Sequence, residues 1–368
     1  MHRVVISGFY GYNNAGDEAI LQSMVSEMRK AYSDIDIVVL SANPLKTIRD
    51  FKVKAVNRLN LYQIYSAIKN CDVFISGGGS LFQDATSIWT PWYYGGVIMI
   101  AFMLNKPVFA FAQGIGPVRS NIDRKLLKYI MNKVNYISVR DKRSEKELKK
   151  LGILKDISCT VDPAFLIHAQ PNEKSYDILN KESKGEKLVR PRIGFSIRKW
   201  KGDTDITGIM AEVADRVYRE LGADIVLFPL HYKKDIQIAE EISEKMKEKA
   251  IVIRGHYTTE ELISLYGLVN INVSVRFHGL VFSIMNNKPL VAISYDPKID
   301  SFMELLGMNN VLRYNELNVQ NVFNAIKVKW VNREEISKQI HLKSDEFKVL
   351  AQKGVDEIVK VLKEIKEK

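Results

Sequence analysis

The chain has 368 residues, of which 46% are hydrophobic and 26% charged, which excludes a disordered, collagen-like or membrane-bundle protein and predicts about two globular domains. Its two cysteines, Cys71 and Cys159, are too few for a disulfide framework or a zinc cluster and fit a reducing compartment. The 54 Lys and Arg against 43 Asp and Glu give a net charge of +11, which suits anionic partners.

Positive charge is concentrated in residues 119–155, which hold 12 Lys or Arg and 4 Asp or Glu. Such a segment is most often a solvated face, but it also suits phosphates, an anionic membrane surface or nucleic acid. Because the chain contains no nucleic-acid-binding module, we do not expect nucleic acid among its partners.

Neither a signal peptide nor a membrane span is expected. The first residues lack the apolar core and small-residue cleavage site of a signal peptide. The most apolar stretch, residues 93–114, is interrupted by Asn105, Lys106 and Pro107, which leaves too few apolar residues for a span of about 20. It predicts a buried helix followed by a buried strand.

Short apolar runs alternate with helix-period segments throughout the first half of the chain. Strands are predicted over residues 4–7, 37–40, 73–76, 108–112 and 136–139. Amphipathic helices are predicted over residues 19–32, 61–70, 124–133 and 144–151. Continuous apolar strands that alternate with helices indicate a parallel sheet covered on both faces.

The alternation breaks at residues 170–190, a polar stretch that predicts a linker or a solvated insertion. It resumes with strands over residues 193–197, 225–229, 251–253, 271–275 and 290–293 and helices over residues 206–221, 234–247, 259–268, 279–286 and 301–306. We therefore expect Rossmann-like domains over residues 1–169 and 191–345, with a ligand cleft between them. A C-terminal helical stretch, residues 346–368, is expected to pack back on the first domain.

The loop after the first predicted strand, residues 8–18, reads GFYGYNNAGDE and opens the first helix. Free N–H groups at a helix start favour an anion or a sugar hydroxyl, so Asn14 and Asp17 are candidate site residues. The Glu18 carboxylate is more simply explained by the helix dipole.

The loop after the third predicted strand contains three consecutive glycines, Gly77, Gly78 and Gly79. We interpret them as a nest of backbone N–H groups for an anion, with Gln83 and Asp84 at its rim. A plain tight turn is the alternative. The motif QGIGP at residues 113–117 also follows a strand and is expected to line the same cleft.

Four basic side chains follow predicted strands, where a cleft ligand would lie. They are Arg140, Arg276, His278 and Lys298. Cations from separate loops favour a small, multiply anionic ligand. Arg140 is alternatively explained by an ion pair with its neighbour Asp141. The six histidines show no metal-ligand spacing, so no metal is expected.

Seven motifs in chain order resemble the polysaccharide pyruvyltransferase family, most closely its bacterial cell-wall branch, the CsaB-type enzymes. They are NNAGDEAI (13–20), SGGGSLFQDATS (76–87), QGIGP (113–117), SVRD (138–141), DPAF (162–165), RFHG (276–279) and SYDPKID (294–300). Each motif is weak by itself, whereas the ordered set spans nearly the whole chain and is specific.

The resemblance implies a GT-B-like fold and transfer of a pyruvyl group from phosphoenolpyruvate to a sugar. In the cell-wall branch the product is a 4,6-linked pyruvate ketal on β-N-acetylmannosamine of a lipid-diphosphate-linked disaccharide. That ketal belongs to a secondary cell-wall polysaccharide that anchors S-layer proteins. Carried over by motif, the phosphoenolpyruvate-binding cations are Arg140, His278 and Lys298. Phe277 stands where many relatives have Leu, which should alter packing only.

The expected chemistry needs a general acid, a general base and no cofactor besides the donor substrate. A protonated His278 or Lys298 can serve as the acid, and Asp17 or Asp84 as the base. The first domain is expected to hold the acceptor and the second phosphoenolpyruvate. A lipid-linked acceptor implies a cytoplasmic protein held at the inner membrane face by the basic segment 119–155.

Two other functions use the same residues. A GT-B glycosyltransferase acting on a nucleotide sugar would share the fold, with Glu260, Glu261 or Glu304 as the residue that holds the ribose. A non-catalytic glycan- or lipid-binding protein would keep the site but show no turnover.

Overall fold

Runs of buried Val, Ile and Phe form the strands of two parallel sheets, one in each half of the chain. The structure, a computed structural model, describes residues 2–83, 89–186, 188–202 and 204–366. Unit 1 comprises the chain up to Ile167 together with the chain from Phe347 onward, and unit 2 comprises His168–Glu346.

Unit 1 is built on a parallel sheet with the strand order β3-β2-β1-β4-β6-β7-β8, and β5 pairs with β6 beside this path. Its elements are β1 (His2–Ser7), α1 (Ala15–Ala31), β2 (Ile35–Ser41), α2 (Pro44–Phe51), β3 (Lys54–Asn57), α3 (Leu61–Lys69), β4 (Val73–Ser76), β5 (Gly79–Phe82), α4 (Thr90–Met103), β6 (Val108–Ile115), α5 (Asn121–Lys133), β7 (Tyr136–Val139), α6 (Lys142–Lys150) and β8 (Ser158–Cys159).

Unit 2 contains a second parallel sheet with the order β11-β10-β9-β12-β13-β14. Its elements are α7 (Glu173–Glu182), β9 (Arg192–Ser196), α8 (Ile206–Glu220), β10 (Asp224–Leu227), α9 (Tyr232–Lys245), β11 (Ala250–Val252), α10 (Thr259–Gly267), β12 (Ile271–Ser274), α11 (Phe277–Met285), β13 (Leu290–Ser294), α12 (Pro297–Leu305), β14 (Leu312–Arg313), α13 (Val319–Val331) and the start of α14 (Arg333–Lys366).

Every strand and helix predicted from periodicity is present, with ends that differ by a few residues. The polar stretch 170–190 is not only a linker, because it contains α7, which belongs to unit 2 and contacts α10. Asn172 forms a capping box at the start of this helix. Cap residues rather than apolar periodicity thus mark α7 in the sequence.

The helices of unit 1 cover both faces of its sheet. Right-handed crossovers place α3, α4, α5 and α6 on one face, where their apolar sides share one core with the strands. Each of these helices begins at the carboxyl end of the preceding strand. Loops at the carboxyl edge of the sheet therefore carry the motifs singled out above.

The last helix, α14, passes from unit 2 into unit 1 at Phe347. Phe347 is fully buried and packs edge to face on Phe165, with ring centroids 5.2 Å apart. Tyr32, the C-cap of α1, donates a 3.2 Å hydrogen bond to the carbonyl of Val359. The end of α14 is therefore part of the core of unit 1.

None of the helices in the described part of the chain is both long and apolar enough to cross a bilayer.

Replacing Phe347 with Ala is expected to lower the free energy of unfolding by about 3–5 kcal/mol, because it leaves a cavity beside Phe165. Urea unfolding measures the change. The matched control is Val349→Ala on the same helix, an exposed position where the change should stay within about 0.5 kcal/mol. Equal stability of the two variants would contradict the packing of α14 on unit 1.

Candidate functional site

The loop between β1 and α1 is held by side chains of the first helical turn. Asn14 is the N-cap of α1 and accepts a hydrogen bond from the backbone N–H of Gly16 at 3.3 Å. Its amide group also donates to the carboxylate of Asp17, which is almost fully buried. Asn14 and Asp17 therefore form one preorganised pair at the carboxyl edge of unit 1.

Glu18 fixes the start of the same loop, a contact that sequence analysis did not identify. Its carboxylate accepts a 2.9 Å hydrogen bond from the backbone N–H of Gly11. Burial raises the pKa of Glu18 to about 7, and the charge of Lys46 only partly offsets this effect. Glu18 thus binds a proton more tightly in the folded chain than in the unfolded chain.

Packing explains Gly77 and Gly78, and one N–H group of the predicted nest is already used within the protein, while anion binding by the rest of the loop remains a prediction. The N–H of Gly77 donates a 2.7 Å hydrogen bond to the carbonyl of Ser7 and is not available to an anion. A Cβ at Gly77 would collide with the hydroxyl of Tyr10, and one at Gly78 would lie 2.9 Å from Ile20. These two glycines let the loop approach β1 and α1 closely.

Gly79 begins β5 and brings the two loops of unit 1 together. Its φ of +107° favours glycine, and a Cβ there would lie 3.1 Å from the Asp17 carboxylate. Gln83, the last described residue of this loop, is almost fully buried. The predicted base Asp84 lies outside the described residues.

Arg140 occupies an internal position in unit 1. Its guanidinium donates to the Asp162 carboxylate at 3.2 Å and to the Ser80 hydroxyl at 2.9 Å. The side chain is 3% exposed, and the alternative partner Asp141 lies 4.0 Å away. Arg140 therefore ties β5, β7 and the segment after β8 together. The expected contact with a ligand remains a prediction.

Gln113 of the QGIGP motif supports the same region. It is fully buried, and its amide group donates to the carbonyls of Ser76 and Gly77 at 2.9 Å and 2.5 Å. This side chain joins β6 to the glycine loop. A buried amide of this kind positions backbone rather than ligand.

In unit 2, basic side chains follow the carboxyl ends of three neighbouring strands. Arg198 follows β9, Arg276 and His278 follow β12, and Lys298 follows β13, and these strands are adjacent in the order β9-β12-β13. His278 and Lys298 are each the second residue of a helix. Helix starts carry partial positive charge, so this edge combines several cations with two helix dipoles.

Arg198 is the residue of this group that sequence analysis missed. Its guanidinium carbon lies 4.8 Å from the ring centroids of both Trp200 and Tyr295, and Nη1 donates a 3.0 Å hydrogen bond to the Tyr295 hydroxyl. Burial lowers the pKa of Arg198, and Arg276 lowers it further. The sequence signal for Arg198 was its place in the segment SIRKW, directly after β9. This segment contains no glycine motif, so it did not attract attention as a candidate site.

Arg276 is held by an ion pair with Asp235 of α9, a second residue that sequence analysis did not single out. The same carboxylate accepts a 2.8 Å hydrogen bond from the backbone N–H of His231. The Nε atom of Arg276 has no hydrogen-bond partner among the described residues. The guanidinium therefore keeps a donor for a further partner.

Lys298 and His278 lie at adjacent helix starts. The Lys298 ammonium is 3.7 Å from the Asp296 carboxylate and 5.8 Å from the Tyr295 ring centroid. Phe277 packs edge to face on Phe302 of α12 at 5.2 Å, which joins α11 to α12. Phe277 is thus a packing residue, as expected.

The pKa values of the Tyr295 phenol and the His231 imidazole respond to the charges and the burial at this edge. Burial raises the pKa of Tyr295, but Lys298 and Arg198 outweigh burial and bring this pKa below its ordinary value. Burial, followed by the charge of Arg276, lowers the pKa of His231 from 6.5 to about 4. The lowered pKa of Tyr295 shows a positive potential, which suits an anionic ligand, whereas the His231 shift is due mainly to burial.

The structure therefore groups Arg198, Arg276, His278 and Lys298 at one edge of unit 2 and places Arg140 in unit 1. No group of three or more His, Cys, Asp or Glu with metal-ligating geometry occurs among the described residues.

The free energy of unfolding of the wild type is expected to fall as pH rises, and replacing Glu18 with Gln should make this fall smaller. The native pKa of about 7 exceeds the ordinary 4.5, so ionisation of Glu18 costs on the order of 3 kcal/mol between about pH 4.5 and pH 7. Gln retains an acceptor for Gly11 and cannot ionise.

Urea unfolding between pH 5 and pH 8 would measure this slope. Glu147→Gln, at a partly exposed carboxylate on α6, is the control and should keep the wild-type slope. An unchanged slope in Glu18→Gln would contradict the raised pKa.

Comparison with known proteins agrees with the two-unit architecture. The chain is similar to the UDP complex of MnaA from S. aureus, at 13% identity and a TM-score of 0.69, over 99% of this chain and 97% of the other. It is also similar to the UDP-GlcNAc 2-epimerase of Neisseria meningitidis bound to UDP-GlcNAc, at 13% identity and a TM-score of 0.63, over 98% of this chain and 100% of the other. The fold is GT-B-like, with two Rossmann-like units.

In sequence, the chain is similar to the amylovoran biosynthesis protein AmsJ of Erwinia amylovora. The two are 21% identical over 421 residues, which cover 97% of this chain and 99% of that protein. The model of the family described as polysaccharide pyruvyl transferase matches residues 14–297. This range covers most of the chain, from Asn14 to the residue before Lys298, and the chain therefore belongs to the polysaccharide pyruvyl transferase family.

Proposed function

We propose that the chain transfers the pyruvyl group of phosphoenolpyruvate to a sugar hydroxyl pair, forming a pyruvate ketal and releasing phosphate. The family assignment supports pyruvyl transfer in polysaccharide biosynthesis. The observation that carries the choice of donor is the positively charged edge of unit 2. Phosphoenolpyruvate brings a carboxylate and a phosphate, which several cations from separate loops can bind.

The charge balance of unit 2 supports this assignment. Arg198 has no carboxylate partner among the described residues, whereas Arg276 and Lys298 each have one nearby carboxylate, Asp235 and Asp296. The edge therefore keeps excess positive charge when no ligand is bound. An anion that binds there relieves the repulsion between Arg198 and Arg276.

The reaction balances without a cofactor. C3 of phosphoenolpyruvate accepts a proton, and C2 becomes oxocarbenium-like and is attacked by the first sugar hydroxyl, which loses its proton. The C2–O bond to phosphate then breaks with its electron pair on phosphate. The second hydroxyl adds to C2 and loses its proton, which closes the ketal. Of the two hydroxyl protons, one balances the proton gained at C3 and the other leaves with phosphate.

The residues at the two edges are assigned to these steps by their chemistry. Lys298 or His278 is the proposed acid at C3, and the starts of α11 and α12 stabilise the anionic leaving group. Arg276 and Arg198 bind the charged groups of the donor. On unit 1, the preorganised Asn14–Asp17 pair is the proposed acceptor side, with Asp17 as the base.

The proposed acceptor is β-N-acetylmannosamine of a lipid-diphosphate-linked disaccharide, as in secondary cell-wall polysaccharide synthesis. Such an acceptor lies at the cytoplasmic face of the membrane, which implies a peripheral protein. In the basic segment, Lys125, Lys128 and Lys133 of α5 are exposed. Anionic lipid attracts such side chains at about 1 kcal/mol each, so this attraction should weaken with salt.

Wild-type protein is expected to release phosphate from phosphoenolpyruvate only when a synthetic lipid-diphosphate GlcNAc–ManNAc acceptor is present. Lys298→Ala and His278→Ala should each lower kcat/KM by roughly 10²-fold or more, because each removes a cation or proton donor at the reacting group. Lys199→Ala is the matched control, because this exposed lysine adjoins Arg198 but pairs with Glu241.

The same assay separates the glycosyltransferase alternative. With a panel of UDP-sugars as donors, no UDP should be released. Release of UDP would contradict the proposed reaction. Phosphate release that does not depend on the acceptor and is equal in all variants would contradict it as well.

A further inference from the structure

Six large apolar residues of unit 1 are exposed at the starts of three helices, and we call them the apolar rim. Their exposed fractions lie between 47% and 81%. They are Leu59, Leu61 and Tyr62 at the start of α3, Trp89 and Trp92 at the start of α4, and Ile122 at the start of α5. Isolated exposed apolar residues are common on soluble proteins, but a contiguous set marks an interaction surface.

Contacts between α3, α4 and α5 hold the helix starts that carry the rim residues side by side. The Arg58 guanidinium carbon lies 4.2 Å from the Tyr93 ring centroid, and the Tyr93 hydroxyl donates a 2.7 Å hydrogen bond to the Arg58 carbonyl. These contacts join the loop before α3 to the start of α4. A Cβ at Gly95 would lie 3.2 Å from Leu126, so α4 and α5 pack closely near their starts.

Positive charge borders the rim at the start of α5. Arg119 and Lys125 are exposed on either side of Ile122, whereas the carboxylate residue between them, Asp123, is buried. The basic segment 119–155 therefore begins directly at the rim. Apolar and aromatic side chains bordered by exposed cations are the composition of surfaces that insert into the headgroup region of anionic membranes.

We infer that the apolar rim is a membrane-docking surface, which inserts into an anionic bilayer at headgroup depth while the basic segment contacts lipid phosphates. The rim lies on the carboxyl edge of the sheet that also carries Asn14 and Asp17. Docking by this edge brings the proposed acceptor side to the lipid surface. The inference rests on the proposed function, because a lipid-linked acceptor is the reason for docking at a membrane. Its test needs no substrate and is therefore independent of that function.

The test compares binding to phosphatidylglycerol-containing vesicles by sedimentation. The double variant Leu61→Glu/Tyr62→Glu should bind at least about tenfold more weakly, because two apolar groups are lost and two charges repel the lipid. Both positions are exposed at a helix start, where Glu is tolerated. The matched control, Met103→Glu/Val349→Glu, changes exposed apolar residues of the same unit that lie outside both the rim and the basic segment, and it should bind as wild type.

Two further readouts make the outcome decisive. Part of the wild-type binding should persist in high salt. Brominated lipid should quench the fluorescence of Trp89 and Trp92. The variant Trp89→Phe/Trp92→Phe should therefore lose most of the quenching. Equal vesicle binding by the rim variant, or no binding by wild type, would overturn the inference. If the wild type is a dimer in the absence of vesicles and the rim variant is a monomer, the rim is an interface between two copies of the chain. That result would also overturn the inference.

Turnover with a water-soluble, short-chain acceptor separates this inference from the proposed function. Rim variants should retain wild-type turnover with that acceptor. If vesicle binding depends on the rim but no variant, wild type included, releases phosphate, the proposed function fails and the docking surface stands.

Discussion

Partly buried positive charge at the carboxyl ends of β9, β12 and β13 is the constraint on which unit 2 depends. Arg198 packs over the rings of Trp200 and Tyr295, which contact each other, and the Asp235 carboxylate holds Arg276 by an ion pair. Charges of one sign repel each other strongly away from water, so this arrangement costs folding free energy. The positive potential of this edge also lowers the pKa of Tyr295, against the opposing effect of burial. Binding of the proposed anionic donor would offset this repulsion.

In unit 1, the residues of the sequence motifs make contacts mainly within the protein. Its glycine loop packs tightly on Tyr10 and Ile20, and the side chains of Gln113 and Arg140 donate hydrogen bonds to other parts of unit 1. Asn14 and Asp17 form a further preorganised pair of polar side chains at this edge. Positions with preorganised side chains bind a sugar with little ordering cost, which is the property an acceptor site needs.

The main architecture could be predicted from sequence because parallel strands are continuously apolar and their helices are periodic. The runs that form β1, β4 and β6 are such strands. The two-residue strands β8 and β14 carry no such signal, and α7 is marked only by its cap. Within the sites, glycines suggested an anion nest because composition does not reveal what a Cβ would meet. The pairing of Arg276 with Asp235 and the packing of Arg198 on Tyr295 depend on tertiary placement, which local patterns do not encode.

The isotope content of the product tests pyruvyl transfer from phosphoenolpyruvate most directly. The reaction is run in D₂O with the lipid-diphosphate GlcNAc–ManNAc acceptor, and the ketal methyl group is analysed by NMR and mass spectrometry. Protonation of C3 by an exchangeable group, Lys298 or His278, predicts a methyl group that carries one solvent deuterium. A ketal without deuterium, or phosphate release without a ketal, would contradict the addition of the sugar to a C3-protonated donor.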